Sequence, residues 1–481
     1  MTTWLTRILP ANPLTRRLSL QAILFAVGEG VFITGNAVFF TRLVGLSAAQ
    51  VGLGLSIAGL FTFALAVPMG RLADRLGPKR IWWVSAAGIS ALYLTYPLIH
   101  GFAAFTVLVC ALAAVDAAGS AGRGAYTIDI FSREERVRSQ AYMRSALNIG
   151  FTIGAFLGGL ALAAGSDSVI RALPVFTAAV LALNAALITR LPDVRHAHVA
   201  PASDHVTPTA LRNRGFLVLS LCNGVLATNQ VLLNIVVPLW LVQRTDAPQT
   251  VLAWLFATNT VLAVAFQVPA ARGSDTVPGA LRATRLCAAA FVISCAIIAY
   301  THDTRGWASI ALLLLGHVTI TAAELFESAS SWGFLAELSD PSRRGEYQGV
   351  WRLGFQVEAI VGPAAFTFLA ITWGPPGWAV IATLAVVASA VGAMVDTVVH
   401  DVTGRLVAPN RPRECAEAVT AILRDSFLRR SLGLAGRDRA CARYSWDRIS
   451  VDTLRIYHEL VPASRLQCAA SAAASNSPSG H

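Results

Sequence analysis

The chain has 481 residues, 55% of them hydrophobic and only 14% charged, and its mean hydropathy is strongly positive. That balance excludes a soluble protein built on one large core, because about eleven or twelve apolar runs of membrane-spanning length fill the sequence to roughly residue 395. The net charge of +11 does not point to nucleic acid, since the arginines collect in alternate loops rather than on one face.

Helix 1 is expected over about 18–40, helix 2 over about 48–69 and helix 3 over about 81–99. Between helices 2 and 3 lies "GRLADRLGPKR", Gly70 to Arg80. Gly70 and Gly77 permit the sharp turns of a short loop. Arg71, Arg75, Lys79 and Arg80 mark the loop as cytoplasmic, and Asp74 carries a negative charge that a helix N-terminus could hold. Helix 4 follows over about 104–128, helix 5 over about 140–164 and helix 6 over about 170–190. A polar loop leads to helix 7 over about 215–242, helix 8 over about 249–270 and helix 9 over about 282–300. Helices 10, 11 and 12 read as about 307–336, 346–371 and 377–395. Basic clusters at Arg16 and Arg17, Arg133 to Arg138, Arg190 to Arg214, Arg272 to Arg285, and Arg343 with Arg344 alternate with loops carrying about one arginine each. The pattern places the N-terminus in the cytoplasm.

The two halves repeat. "VPMGRLADRL", from Val67, aligns with "VPAARGSDTV", from Val268, so that Asp74 falls on Asp275. "TIDIFSREERVRSQAYMR", from Thr127, aligns with "LAELSDPSRRGEYQGVWR", from Leu335. Asp129 then falls on Glu337, Arg136 on Arg344 and Arg144 on Arg352, at an offset of 208 residues (344 minus 136). Six helices per half running the same way imply a parallel repeat about an axis normal to the membrane.

Charges inside apolar spans are costly and mark cavities or partners. Glu29 lies in helix 1 and Asp116 in helix 4, and the repeat offset carries Asp116 onto Glu324 in helix 10. Glu327 is almost a turn further, Glu358 lies in helix 11, and helix 7 supplies Asn229, Gln230 and Asn234. Arg123 shares a helix face with Asp116, seven residues on. Acids facing one cavity repel each other, so at least one is expected to take a proton near neutral pH and to draw a cationic, partly apolar substrate. Glu324 has Ser331 where Asp116 has Arg123. Glu324 is therefore the expected carrier of the coupling proton, with Asp116 kept ionised by Arg123 as a substrate contact.

"GRLADRLGPKR" resembles the loop 2–3 signature of the major facilitator superfamily. "GFTIGAFLGG", Gly150 to Gly159, resembles the glycine-rich helix 5 motif of that family's exporters, with Ala155 where proline is usual. The family's helix 4 arginine has no counterpart here; Val109 stands near its place. The resemblance covers about residues 15–395. It implies an all-α membrane protein of twelve transmembrane helices in two six-helix bundles, 1–190 and 215–395, joined by a cytoplasmic linker over 191–214. It implies that helices 1, 4, 7 and 10 line the central cavity. Asp74 would meet the start of helix 11, near Gly345 to Gly349, and stabilise an outward-facing state. The expected activity is export of a small molecule against protons by a monomer in a bacterial cytoplasmic membrane, with both termini cytoplasmic, no cofactor and no catalytic residue. Uptake of a sugar or metabolite is the subordinate reading.

From about residue 385 to 460 the sequence is similar to the C-terminal end of group 1 GT-B glycosyltransferases. The matching residues include Gly392, Asp396, Gly404, Pro409, Asp425, Arg437, Tyr444, Trp446 and Tyr457. The segment 396–465 is expected to form a small, partial α/β cytoplasmic tail, too small to bury a proper core and lacking the family's nucleotide-sugar glutamates. Residues 466–481 read as disordered by composition. A chimera impaired in transport, acting as a scaffold in glycan assembly, is the alternative function.

Overall fold

The computed structural model describes residues 10–193, 209–390 and 412–444. By contacts the chain divides into two units, Met1–Gly392 and Ala393–His481.

In the first unit, six helices form the first half: α1 (Pro13–Val38), α2 (Ala48–Leu76), α3 (Pro78–Leu94), α4 (Gly101–Ile130), α5 (Arg133–Ala163) and α6 (Asp167–Thr189). The second half holds α7 (Arg214–Arg244), α8 (Val251–Ala270), α9 (Val277–Tyr300), α10 (Trp307–Leu338), α11 (Arg344–Thr367) and α12 (Pro375–Ala390). Among the described residues ten helices are long and apolar enough to cross a membrane, whereas α3 and α12 are shorter. The expected last residues of helix 12, 391–395, lie outside the described residues. Helix 3 was expected to reach residue 99, but α3 ends at Leu94 and Tyr96–Leu98 forms a 3-10 turn. Pro97 has no amide with which to continue the α-helix.

Local chemistry sets the helix starts. Asn12 accepts the Leu14 N–H at 2.8 Å and precedes Pro13 at the first helical position. Ser47 and Gln50 form a reciprocal capping box at the start of α2. In α7 the helix widens to a π turn over Leu232–Val236, directly ahead of Pro238. Such a turn absorbs the amide that proline lacks.

Between membrane helices there is little hydrophobic driving force, so close packing must come from small residues. Gly150, Gly154 and Gly158 of α5 form such a stripe: a Cβ on them would lie 2.5, 2.6 and 2.7 Å from the Ile23, Val27 and Val31 carbonyl oxygens of α1. Each half has its own core. The first is aromatic, with Tyr93 and Tyr96 stacked at 5.1 Å and Phe32 edge-on to both. The second centres on Trp240 and Trp378, perpendicular at 5.5 Å. Leu60, Phe156, Trp254 and Trp307 point outward and are exposed, as a lipid-facing surface requires.

The second unit is described over two helices, α13 (Pro412–Arg424) and α14 (Ser426–Tyr444). Asp425, between them, accepts the N–H groups of Phe427 and Leu428 at 2.9 and 3.0 Å and so caps α14. No strand occurs among the described residues. Residues 396–411 and 445–465 of the expected α/β tail and the segment 466–481 lie outside them, as do Gly392, Asp396, Gly404, Pro409, Trp446 and Tyr457. Asp425, Arg437 and Tyr444 fall on the two helices or between them.

Candidate functional site

The first amides of a helix have no partner within it. α11 begins at Arg344, which leaves the Gly345 and Glu346 amides free for a neighbour. Asp74 takes both: Oδ1 accepts the Gly345 N–H at 2.6 Å and Oδ2 the Glu346 N–H at 2.8 Å. Arg71 donates to Glu346 Oε1 through Nε at 3.2 Å and Nη2 at 3.0 Å. Backbone meets backbone at this crossing. A Cβ on Gly70 would lie 2.1 Å from the Gly345 carbonyl oxygen, and one on Gly349 would lie 2.4 Å from that of Ala66. Gly77 adopts φ +89°, which lets the chain turn directly from α2 into α3. Lys79 is drawn elsewhere, donating to the Leu191 carbonyl at 2.6 Å and to Asp193 at 2.7 Å. Arg75 and Arg80 are exposed.

Two more ion pairs join the halves near this end: Arg344 with Asp129, and Arg133 with Glu337. They are near-reciprocal under the repeat, since Asp129 and Glu337 are counterparts at the 208-residue offset.

The reciprocity continues into the membrane. Arg352 Nη2 stands 3.2 Å from Asp116 Oδ2, and Arg144 Nη2 stands 3.7 Å from Glu324 Oε1. Asp116 and Glu324 are counterparts, and so are Arg144 and Arg352, so each acid meets the arginine of the opposite half. Ser120 also donates to Asp116 at 3.3 Å, and Asn259 donates to Glu324 at 2.9 Å. This geometry corrects two expectations. Asp116 is held by Arg352 rather than Arg123, whose guanidinium lies 5.7 Å from the Phe25 ring centroid. Nor does Glu324 lack a cation, because helix packing delivers Arg144 from α5.

A cavity of about 540 Å³ lies between the halves, with Arg123, Arg144, Arg352, Glu327 and Gln230 in its wall. Trp82, Trp332 and Trp351 supply aromatic surface there. A side chamber of about 40 Å³ holds Asp116 and shares Arg123. Glu327, 5% exposed, accepts the Asn223 Nδ2–H at 2.8 Å. Nε of Arg144 and Nη1 of Arg352 are buried without a hydrogen-bond partner.

The remaining expected residues do not line this cavity. Glu29 lies under Tyr93, whose hydroxyl is 3.4 Å from both carboxylate oxygens. Asn229 is fully buried and donates to the Leu226 carbonyl at 2.8 Å. Asn234 is exposed and donates back to the Gln230 carbonyl at 2.9 Å. Glu358 is half-buried beside Gly362. Of these four, Asn234 alone lies within the π turn of α7, which shifts it from the register of a regular helix. Sequence reasoning missed Asn223, Asn259 and Glu346. The Arg144–Arg352 correspondence was available as a signal that the two arginines act as a pair.

Two repeated halves around a polar cavity, with ten helices among the described residues long and apolar enough to cross a membrane, form the arrangement of a membrane transporter. Residues 18–332 and 219–436 match the family model of the Major Facilitator Superfamily. The chain belongs to that family. The second match runs past residue 395 into the tail. The chain is 24% identical to Multidrug resistance protein MdtH of Shigella flexneri serotype 5b (strain 8401) over 355 residues, 72% of this chain and 83% of that protein. MdtH of Escherichia coli (strain K12 / DH10B) is equally similar, at 24% over the same shares. Among solved structures, the FucP transporter in the outward conformation superposes with a TM-score of 0.60 at 15% identity, covering 79% of this chain and 98% of that one. The human organic anion transporter MFSD10 (TETRAN) gives a TM-score of 0.58 at 16% identity, covering 79% of this chain and all of that one.

Proposed function

We propose that the chain exports small molecules across a bacterial cytoplasmic membrane by alternating access, coupled to protons. The observation that carries this reading is the latch of Asp74 on the first amides of α11, set below a ligand-sized cavity between two repeated halves. The cross-half bonds described above run from the Asp116 and Glu324 level to the loop bearing Arg71, Arg75, Lys79 and Arg80. The basic loops make that end cytoplasmic. The arrangement is then an outward-facing state, closed toward the cytoplasm by the gate. Twelve spans with both termini cytoplasmic, an active monomer, and halves at 1–190 and 215–395 flanking a linker at 191–214 belong to this reading. The name of MdtH supports export over uptake. The two helices of the tail fit the glycosyltransferase-like reading no better than a simple extension of the transporter.

Proton coupling needs a carboxylate that can change its charge as the cavity changes access. Arginines already engage Asp116 and Glu324, so the reason for placing the proton on Glu324 no longer holds. Glu327 faces the cavity and has no arginine within ion-pair distance among the described residues, which makes it the coupling residue in this reading. The argument for a cationic substrate rested on acids facing one cavity, with Asp116 as the substrate contact, and it loses that support where Arg352 and Arg144 engage Asp116 and Glu324. Everted vesicles under an imposed pH gradient test the proposal with a panel of aromatic cations and anions. Gradient-driven accumulation that disappears in Glu327→Gln is expected. If no member of the panel moves with the gradient, or if Glu327→Gln keeps the pH dependence, the coupled-export reading is wrong.

A further inference from the structure

The charge in the cavity wall is unevenly spent. Three guanidinium groups, from Arg123, Arg144 and Arg352, reach the cavity, while the wall itself carries the carboxylate of Glu327. Two of these arginines are partly used. Arg352 gives one nitrogen to Asp116 at 3.2 Å, and Arg144 gives one to Glu324 at 3.7 Å. A guanidinium has five N–H donors in a fixed fork. Arg352 keeps Nη1, and Arg144 keeps Nε, buried and without a partner. Those two atoms are sealed from the cavity; what a ligand can reach is the rest of each group, the Arg144 side chain being 38% and the Arg352 side chain 27% exposed in the cavity wall, with donors beyond the one each gives its carboxylate.

Arg123 shares the side chamber with Asp116 but does not touch it. No carboxylate lies within ion-pair distance of it among the described residues, and Phe25 covers one face of its guanidinium with the ring centroid 5.7 Å away. Stacking uses the face and leaves the edge donors available. The alternative, that Arg123 is only a packing residue laid on Phe25, does not account for the unspent donors of its two neighbours.

We infer that the cavity binds an organic anion, a carboxylate, sulfonate or phosphate monoester on an aromatic body, with the oxyanion seated by Arg123 together with Arg144 and Arg352. Planar oxyanions match the guanidinium fork with two parallel hydrogen bonds. The tryptophans at 82, 332 and 351 give the aromatic body a wall, and about 540 Å³ suits a ligand of drug-like size. The inference rests on reading this cavity as the substrate site, and it reverses the sign of the substrate expected from the acidic residues alone.

The test uses the full chain in phosphatidylcholine nanodiscs and two probes of equal ring size and opposite charge, naphthoate and naphthylmethylammonium. Binding is read by calorimetry, with empty nanodiscs as the partitioning control. Saturable binding of naphthoate and none of the ammonium ion is expected. Arg123→Gln should weaken naphthoate roughly tenfold or more, the loss that accompanies removal of a charged hydrogen-bond donor. Arg123→Lys keeps the charge but not the fork, and should fall between the two. Should Arg123→Gln fail to give monodisperse protein, Arg123→Lys carries the test by itself. Preference for the ammonium ion, equal binding of both probes, binding of neither, or unchanged naphthoate affinity in the variant that folds would each overturn the assignment. Movement is measured separately, in proteoliposomes. Naphthoate that binds but does not cross would leave the anion site standing and remove the transport reading.

Discussion

The two motif loops occupy equivalent places in the repeat and meet the opposite half very differently. Where α2 crosses α11, glycines 70, 345 and 349 let the backbones touch. At the equivalent crossing of α8 and α5 the counterparts are Ala271, Val137 and Ala141, all buried in one apolar cluster. A layer of methyl groups thus stands where the first crossing has none. The helix ends differ as well. α2 continues to Leu76, whereas α8 stops at Ala270 and the chain turns at Gly273, with φ +77°. α11 starts at Arg344, but α5 starts at Arg133, three residues before Arg136, the counterpart of Arg344. The Gly345 amide is therefore free for Asp74, while the equivalent Val137 amide lies inside the helical ladder. Asp275 still lies against that amide, which favours its charged form less than burial disfavours it, and its Oδ1 has no partner. A repeat can preserve topology and sequence register and still make the two-amide contact on one side only.

The largest effect should come from erasing the difference at Gly70. Gly70→Val would place side-chain atoms against the Gly345 carbonyl oxygen, 2.1 Å from the new Cβ. Overpacking of backbone on backbone should cost the closed state enough to lower transport about a hundredfold, measured in vesicles and normalised to protein level. The counterpart change, Ala271→Gly, removes only a methyl and should alter transport less than about threefold. Equal losses in both would dissolve the contrast.

Asp74→Asn comes next. It keeps the shape and an acceptor oxygen but removes the charge facing the start of α11 and replaces the second acceptor with a donor. Transport should fall about tenfold at normal expression, the scale of a charged hydrogen bond. Normal turnover in this variant would show that the latch does not gate.

The cross-half arginines sharpen the comparison at membrane depth. Arg144→Gln leaves Glu324, whose side chain is 7% exposed, with Asn259 alone. Arg352→Gln leaves Asp116, whose side chain is 46% exposed. Removing one partner of a buried pair is the costlier case. Arg144→Gln should lower the melting temperature in detergent by several degrees, about 1–3 kcal/mol, and Arg352→Gln by less. The reverse order would mean that burial does not set the strength of these pairs.

The smallest effect is expected at Asp275. Burial pushes its carboxyl above the usual carboxylate range. A raised folded pKa means the folded state holds the proton better than the unfolded one, so the ionised form costs stability above that pKa. The cost is relieved as pH falls through it. Asp275→Asn should therefore raise the melting temperature slightly at neutral pH, by less than about 1 kcal/mol after solvent screening, and by nothing in acid. A destabilised Asn variant at neutral pH would mean that Asp275 is a second latch after all.

Much of this architecture is readable residue by residue. The basic clusters, the apolar runs and the "GRLADRLGPKR" loop mark topology and repeat because a bilayer penalises each misplaced charge locally. Asp74 could be assigned to the start of a helix because helix N-termini attract acids wherever they occur. The cavity was harder to read. Asp116 looked paired with Arg123 and Glu324 looked unpaired, since the only neighbours visible in the sequence are those one or two turns along the same helix.

Sequence alone determined that this is a two-fold repeated bundle of membrane helices, with acids and arginines at matching positions in each half. Only the tertiary structure decided which of them meet. Asp116 and Arg352 are 236 residues apart in the chain, and no helical period links them. The pseudo-two-fold packing brings α4 against α11, so each acid receives the arginine of the opposite half. The structure thereby changes the reading of these acids from ones partnered, if at all, within their own helix to ones held by the arginines of the opposite half. Helix periodicity fixes the neighbours of a residue within its own helix, whereas the packing of helices against one another fixes its charge partner.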